Sequence, residues 1–150
     1  MGQPLSWWYG LSCARRQARE LNWREMDDGD TGNPLQDDFI QSWDMVEQVF
    51  DYMLGLQPWR ERVLHFLADL RRAGYDRKLR AGTSLDFFIV SRSRRHGLRP
   101  DQPCVMFWFH GEMMDMTTKK GDDEWIRDID VALSPRVELA LTELLNHPID

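Results

Sequence analysis

The sequence predicts an α+β domain with N-terminal helices, an antiparallel β-meander of three to four strands, and a C-terminal helix packed on the sheet. Two short apolar segments, Leu85–Ser91 and Cys104–His110, are rich in aromatic and β-branched residues, which favour strands. The segments before and after them have apolar residues three or four positions apart, a spacing that is typical of amphipathic helices. The predicted order of elements is helices, then strands, then a last helix. This order favours an antiparallel sheet with the helices packed against it.

The length and composition predict a single domain over residues 1–150. Hydrophobic residues make up 42% of the chain and charged residues 29%, and both shares are typical of globular proteins. The seven Trp residues are many for this length. We expect most of them in the core, whereas exposed ones would suit contact with a partner.

Three helices are predicted before the first strand. The first, Ser12–Met26, has a serine at its N-cap position. The second, Asp37–Leu54, has an apolar stripe with alternating spacings of four and three, and the third begins at Pro58. The acidic loop Asp27–Pro34 departs from the EF-hand template at its glycine and at its final glutamate, so we expect a solvated linker there.

The predicted strands differ in how their two faces are composed. Both faces of Leu85–Ser91 and Cys104–His110 are apolar, so we expect these strands at the centre of the sheet or covered on two sides. Glu112–Thr118 and Trp125–Leu133 are the next two strands, with a turn between them. The dipeptide Ser134–Pro135 predicts the start of the last helix. One residue from each of four apolar stripes is expected to be fully buried: Trp43, Phe66, Phe107 and Leu141.

The net charge of −6 is distributed unevenly along the chain. The segment Arg71–Arg99 has nine Lys or Arg residues against two Asp, a surplus of seven positive charges, and the remainder is strongly acidic. Such asymmetry indicates either an anionic partner or pairing between the two parts of the chain.

The connection between the two central strands has the highest density of positive charge. We predict that its binding residues are Arg92, Arg94, Arg95, His96 and Arg99. Clustered arginines recognise carboxylates or phosphates, because the planar guanidinium donates two parallel hydrogen bonds. Three interpretations stay open: contact with another protein, binding of nucleic acid or a phosphorylated ligand, and internal pairing with acidic residues of the later strands, for instance Asp122, Asp123, Asp128 and Asp130.

Sequence motifs for catalysis or metal binding are absent, so we expect no catalytic residue, no metal and no cofactor. The four histidines are isolated from one another in the sequence. A general base at His110, beside Glu112, remains a weaker alternative. Cys104 shares a strand face with His110 but lies roughly 20 Å away, too far for a nucleophile and its base.

These observations predict a small cytoplasmic, non-catalytic protein-interaction or regulatory module, such as an inhibitor, an immunity-type protein or an adaptor. The expected partner is another protein. Nucleic-acid or phosphorylated-ligand binding through Arg92–Arg99 is the alternative, and an enzyme with a site near His110 is a third. The first residues have no charged and apolar regions typical of a signal peptide, and no apolar segment reaches transmembrane length, so we expect neither a signal peptide nor a membrane partner. Homo-oligomerisation stays open.

Overall fold

The computed structural model describes residues 32–150. The predicted helix Ser12–Met26 and most of the acidic loop Asp27–Pro34 therefore lie outside the described residues. Helix α1 spans Pro34–Leu54 and begins three residues before its predicted start. It begins there because the side chain of Asn33 accepts a hydrogen bond from the Leu35 N–H (3.2 Å) and a proline occupies the first helical position.

Two further helices flank the strands in sequence. Helix α2 spans Arg60–Arg72 and is followed by a short 3₁₀ helix, Tyr75–Arg77. Helix α3 spans Pro135–Leu145, with Ser134 as its N-cap, so the predicted start of the last helix is confirmed.

Five antiparallel strands form one sheet in the order β1-β2-β3-β4-β5, which confirms the predicted α+β fold with a meander. The strands are β1 Arg80–Ser84, β2 Phe87–Ser91, β3 Cys104–His110, β4 Met113–Lys119 and β5 Glu124–Asp130. The prediction of three to four strands missed β1. Its sequence has no alternation of large apolar residues, so its strand conformation depends on pairing with β2 rather than on its own pattern.

The described helices all pack on one face of the sheet. Phe88 and Phe107 stack there with ring centroids 5.6 Å apart, and helix α1 places Trp43 edge-on to Phe88 at 5.4 Å. Helix α2 places Phe66 edge-on to Phe107 at 5.4 Å. Leu141 of α3 belongs to the same buried cluster. The four residues expected to be fully buried are therefore confirmed, because each is at most 1% exposed.

The opposite face of the sheet carries the alternate residues of the same strands. Met106 is half-buried there, and Trp108 and Trp125 are 39% and 53% exposed. Of the four Trp residues between positions 32 and 150, only Trp43 is fully buried. Trp59 is partly buried and packs against the core, so two of these four belong to it, and the expectation for all seven tryptophans stays a prediction.

Residues 32–150 form one compact unit. The single domain over residues 1–150 stays a prediction. None of the helices within residues 32–150 has both the length and the apolar character needed to cross a bilayer.

Two leucines of helix α3 provide a matched test of this packing. Leu141 is fully buried and Leu139 is 62% exposed. We expect Leu141→Ala to lower the free energy of unfolding by about 2–5 kcal/mol, through lost burial and the cavity it leaves. Leu139→Ala should change it by no more than about 0.5 kcal/mol. Urea titration of both variants measures the difference, and equal losses would contradict the described orientation of α3.

Candidate functional site

The basic loop, defined here as Arg92–Arg99, leaves the end of β2 and has no regular secondary structure. A reciprocal pair of backbone hydrogen bonds ties its first residues to Asp150. The Arg94 N–H donates to the Asp150 carbonyl (2.5 Å), and the Asp150 N–H donates to the Arg92 carbonyl (3.0 Å). The backbone of Arg92–Arg94 is thus held to Asp150 by two hydrogen bonds, as neighbouring strands are held to each other.

Side chains from β1 and from the loop itself fix the next residues. Arg80 donates from Nε to the Ser93 carbonyl (2.9 Å) and from Nη2 to the Arg94 carbonyl (2.6 Å). The buried Ser93 hydroxyl donates to the Arg95 carbonyl (2.6 Å). Gly97 has a φ of 93°, a backbone conformation that glycine adopts without strain. The backbone of the basic loop is therefore ordered by the protein's own contacts.

Two of the predicted binding residues point back onto the protein. Arg92 is half-buried and donates from Nη1 to the Leu145 carbonyl at the end of α3 (2.6 Å), a position where cations are favourable. Arg99 forms ion pairs with Asp150 and, at 3.4 Å, with Asp101. Arg92 and Arg99 therefore contribute to the structure of the loop.

The other three predicted binding residues, Arg94, Arg95 and His96, are exposed, and the Arg99 side chain is 59% exposed as well despite its ion pairs. Within residues 32–150, the guanidinium groups of Arg94 and Arg95 form neither an ion pair nor a hydrogen bond. The acidic residues proposed for internal pairing do not contact the loop arginines in this part of the chain: Asp122, Asp123, Asp128 and Asp130. The internal pairing that does exist uses Asp101 and Asp150.

His110 lies at the far end of β3 and contacts two aspartates that the sequence interpretation did not connect with it. Its Nε2 is 2.9 Å from Asp115 Oδ1 and 3.8 Å from Asp128 Oδ1. The same Asp115 oxygen accepts a hydrogen bond from the Asp128 N–H (2.9 Å). The ring of Trp108 lies 5.0 Å from the His110 ring, between centroids.

Two features of the backbone bring the aspartates to His110. The two-residue turn after His110 pairs it with Met113, so Asp115 falls on the same face two residues further along β4. The pairing of β4 with β5 shifts between Met114 and Met116, and Asp128 has a φ of 52° in this irregular stretch. The first feature could have been predicted from the turn length, because side chains alternate in a strand. The second has no clear sequence signal.

Asp115 is held as a carboxylate. Burial raises its pKa, but hydrogen bonds from the Asp128 backbone and the His110 ring outweigh burial, so the pKa lies below its ordinary value. A negatively charged and largely buried carboxylate therefore lies within hydrogen-bonding distance of the His110 imidazole.

A separate cleft of about 350 Å³ lies beside helix α2 and the β3–β4 turn. His65 and Glu112 line it, together with Glu61 and Asp69, and His110 does not. The carboxylate in contact with His110 is thus Asp115, whereas Glu112 faces the cleft. The His65 side chain is exposed.

Cys104 is free, buried and located at the opposite end of β3 from His110. Burial raises the pKa of its thiol more than the neighbouring Lys119 lowers it. The thiolate that a nucleophile requires is therefore disfavoured, in agreement with the argument against a Cys104–His110 pair.

Comparisons of the chain with protein-family models, with curated proteins and with solved structures give no match.

The position of Cys104 predicts slow reaction with a thiol reagent. A raised pKa leaves a smaller fraction of thiolate at any pH below it, and burial blocks access. We expect the Cys13→Ser variant, which retains Cys104 alone, to react with an aromatic disulfide far more slowly in buffer than in denaturant. Absorbance of the released thiolate follows the reaction. Equal rates in the two solvents would show that Cys104 is accessible.

Proposed function

We propose that the chain is a cytoplasmic, non-catalytic protein-interaction or regulatory module, of the inhibitor, immunity-type or adaptor kind, and that the basic loop contacts its partner. The observation that supports this most directly is the contrast within the loop. Its backbone is held by contacts from β1 and from Asp150, whereas Arg94 and Arg95 extend from it into solvent. An ordered loop loses less conformational entropy on binding than a flexible one.

The chemistry of the exposed residues suits an acidic protein surface. A guanidinium binds a carboxylate with two parallel hydrogen bonds, and Arg is enriched among residues that dominate binding energy. Trp125, at the start of β5, lies at the same end of the sheet as the loop and is 53% exposed. Tryptophan is also among the residue types most enriched at such positions.

Nucleic acid is a weaker candidate on the same observations. Affinity for nucleic acid comes largely from Lys and Arg contacts to phosphates, and DNA-binding proteins can make on the order of 6–10 of them. The loop has two arginines directed to solvent without an ion pair, since Arg92 is bound to Leu145 and Arg99 to two aspartates. The net charge of −6 also opposes approach to a polyanion.

The double variant Arg94→Ala/Arg95→Ala tests the proposal, with Arg77→Ala/Arg136→Ala as a control that removes the same charge from two other exposed positions. We expect the loop variant alone to recover less of a specific partner when each tagged protein is used for capture from an extract of its source cells. Mass spectrometry identifies and quantifies the partner. Both variants should keep the free energy of unfolding within about 0.5 kcal/mol of the parent.

Three results would decide against the proposal. Equal recovery by the loop variant and the control variant would exclude the basic loop as the contact. A large fall in the melting temperature of the loop variant would show that Arg94 and Arg95 stabilise the fold rather than contact a partner. Salt-dependent binding of a random oligonucleotide, lost in the loop variant, would favour the phosphate-binding alternative.

A further inference from the structure

The cluster of His110, Asp115 and Asp128 combines the ligand types of a divalent metal site. One imidazole nitrogen and two carboxylate oxygens lie within 4.8 Å of one another, contributed by β3, β4 and β5. His110 and Asp115 are more than half-buried, whereas Asp128 is 76% exposed at its side chain. The three donors thus converge at a position that solvent ions can reach from the Asp128 side.

The distances are close to those of neighbouring ligands around one ion. With metal–ligand bonds near 2.1 Å, two ligands at a right angle are about 3.0 Å apart and two at a tetrahedral angle about 3.4 Å. His110 Nε2 lies 2.9 Å from Asp115 Oδ1 and 3.8 Å from Asp128 Oδ1. A small movement of the exposed Asp128 side chain would bring all three atoms into one coordination sphere.

We propose that His110, Asp115 and Asp128 bind a first-row divalent transition metal of the Zn²⁺ type. This inference is independent of the basic loop and replaces the expectation from sequence that the chain has no metal site. An imidazole nitrogen favours zinc and its neighbours, whereas Ca²⁺ and Mg²⁺ prefer sites made of oxygen atoms alone. With three protein ligands, at least one coordination position remains for water.

A backbone contact positions one of the three ligand atoms. The Asp128 N–H donates to the Asp115 carboxylate, and this bond fixes the oxygen that faces His110. Such outer contacts typically change metal affinity by about 10–100-fold. A simple hydrogen bond between His110 and Asp115 is the competing explanation of the geometry, and it makes no use of Asp128.

Direct titration with Zn²⁺ of the full chain, first stripped with a chelator, tests the site. We expect one equivalent to bind, and both His110→Ala and Asp128→Asn to weaken binding by more than about tenfold, since each removes a direct ligand. Asparagine tolerates positive φ, so Asp128→Asn keeps the backbone conformation while removing the charge. The controls are His65→Ala, an exposed histidine outside the cluster, and Asp130→Asn, an exposed carboxylate on the same strand.

Trp108 supplies a second, local measurement. Its ring lies beside His110, so bound Co²⁺ should quench its fluorescence, and Trp108→Phe should remove that part of the quenching while leaving Zn²⁺ affinity nearly unchanged. Mg²⁺ should not compete with Zn²⁺. Failure to bind one equivalent of Zn²⁺, or equal affinities for His110→Ala, Asp128→Asn and the two controls, would overturn the proposal. If His110→Ala lost Zn²⁺ affinity and Asp128→Asn did not, Asp128 would not be a ligand, and the proposal of a three-residue site would be contradicted.

Discussion

Burial of the aromatic face of β2 and β3 is the constraint on which the rest of the structure depends. Phe88 and Phe107 stack on neighbouring strands, and their outer surfaces require cover that the sheet cannot provide itself. Helices α1 and α2 supply it with edge-to-face aromatic contacts, which are favourable beyond the area they bury. Both strands are interior, so the segments at their ends are held on a rigid support. The basic loop departs from the end of β2, and His110, one of the three residues of the metal cluster, ends β3.

The two edges of the sheet are protected in different ways. At β1, the Ala81 N–H donates to the Ser42 hydroxyl of α1 (2.9 Å), and Trp43 donates to the Leu79 carbonyl just before the strand (2.9 Å). The helix that buries the aromatic face therefore also satisfies polar groups of this edge. At β5, four of the seven residues are charged, and the register shift near Asp128 interrupts regular pairing. The protection of β1 and that of β5 both oppose edge-to-edge association. The register shift in β5 also places Asp128 close to His110.

The sequence was sufficient for the elements whose pattern and packing agree. The stripes of Asp37–Leu54 and the full extent of Cys104–His110 were predictable because the buried residues follow the period of their own element. Strand β1 was not, because Arg80 and Gly82 have no strand pattern and the pairing comes from β2. For the sites, residue types indicated the basic loop but not which of its arginines form contacts with the rest of the protein. The contacts of Arg92 and Arg99 are made with Leu145 and Asp150, which are distant from the loop in sequence.

Strand β3 separates the two candidate sites and makes them independent. Its first residue, Cys104, pairs with Ser91, from which the basic loop departs, and its last residue is His110. Six residues of extended chain place the two ends roughly 20 Å apart. At that separation substitutions usually act additively, so Arg94→Ala/Arg95→Ala should leave metal binding at His110 unchanged, and His110→Ala should leave partner capture unchanged. If both changes weakened both activities, the cause would be the shared sheet rather than either site, and unfolding curves of the same variants would reveal it.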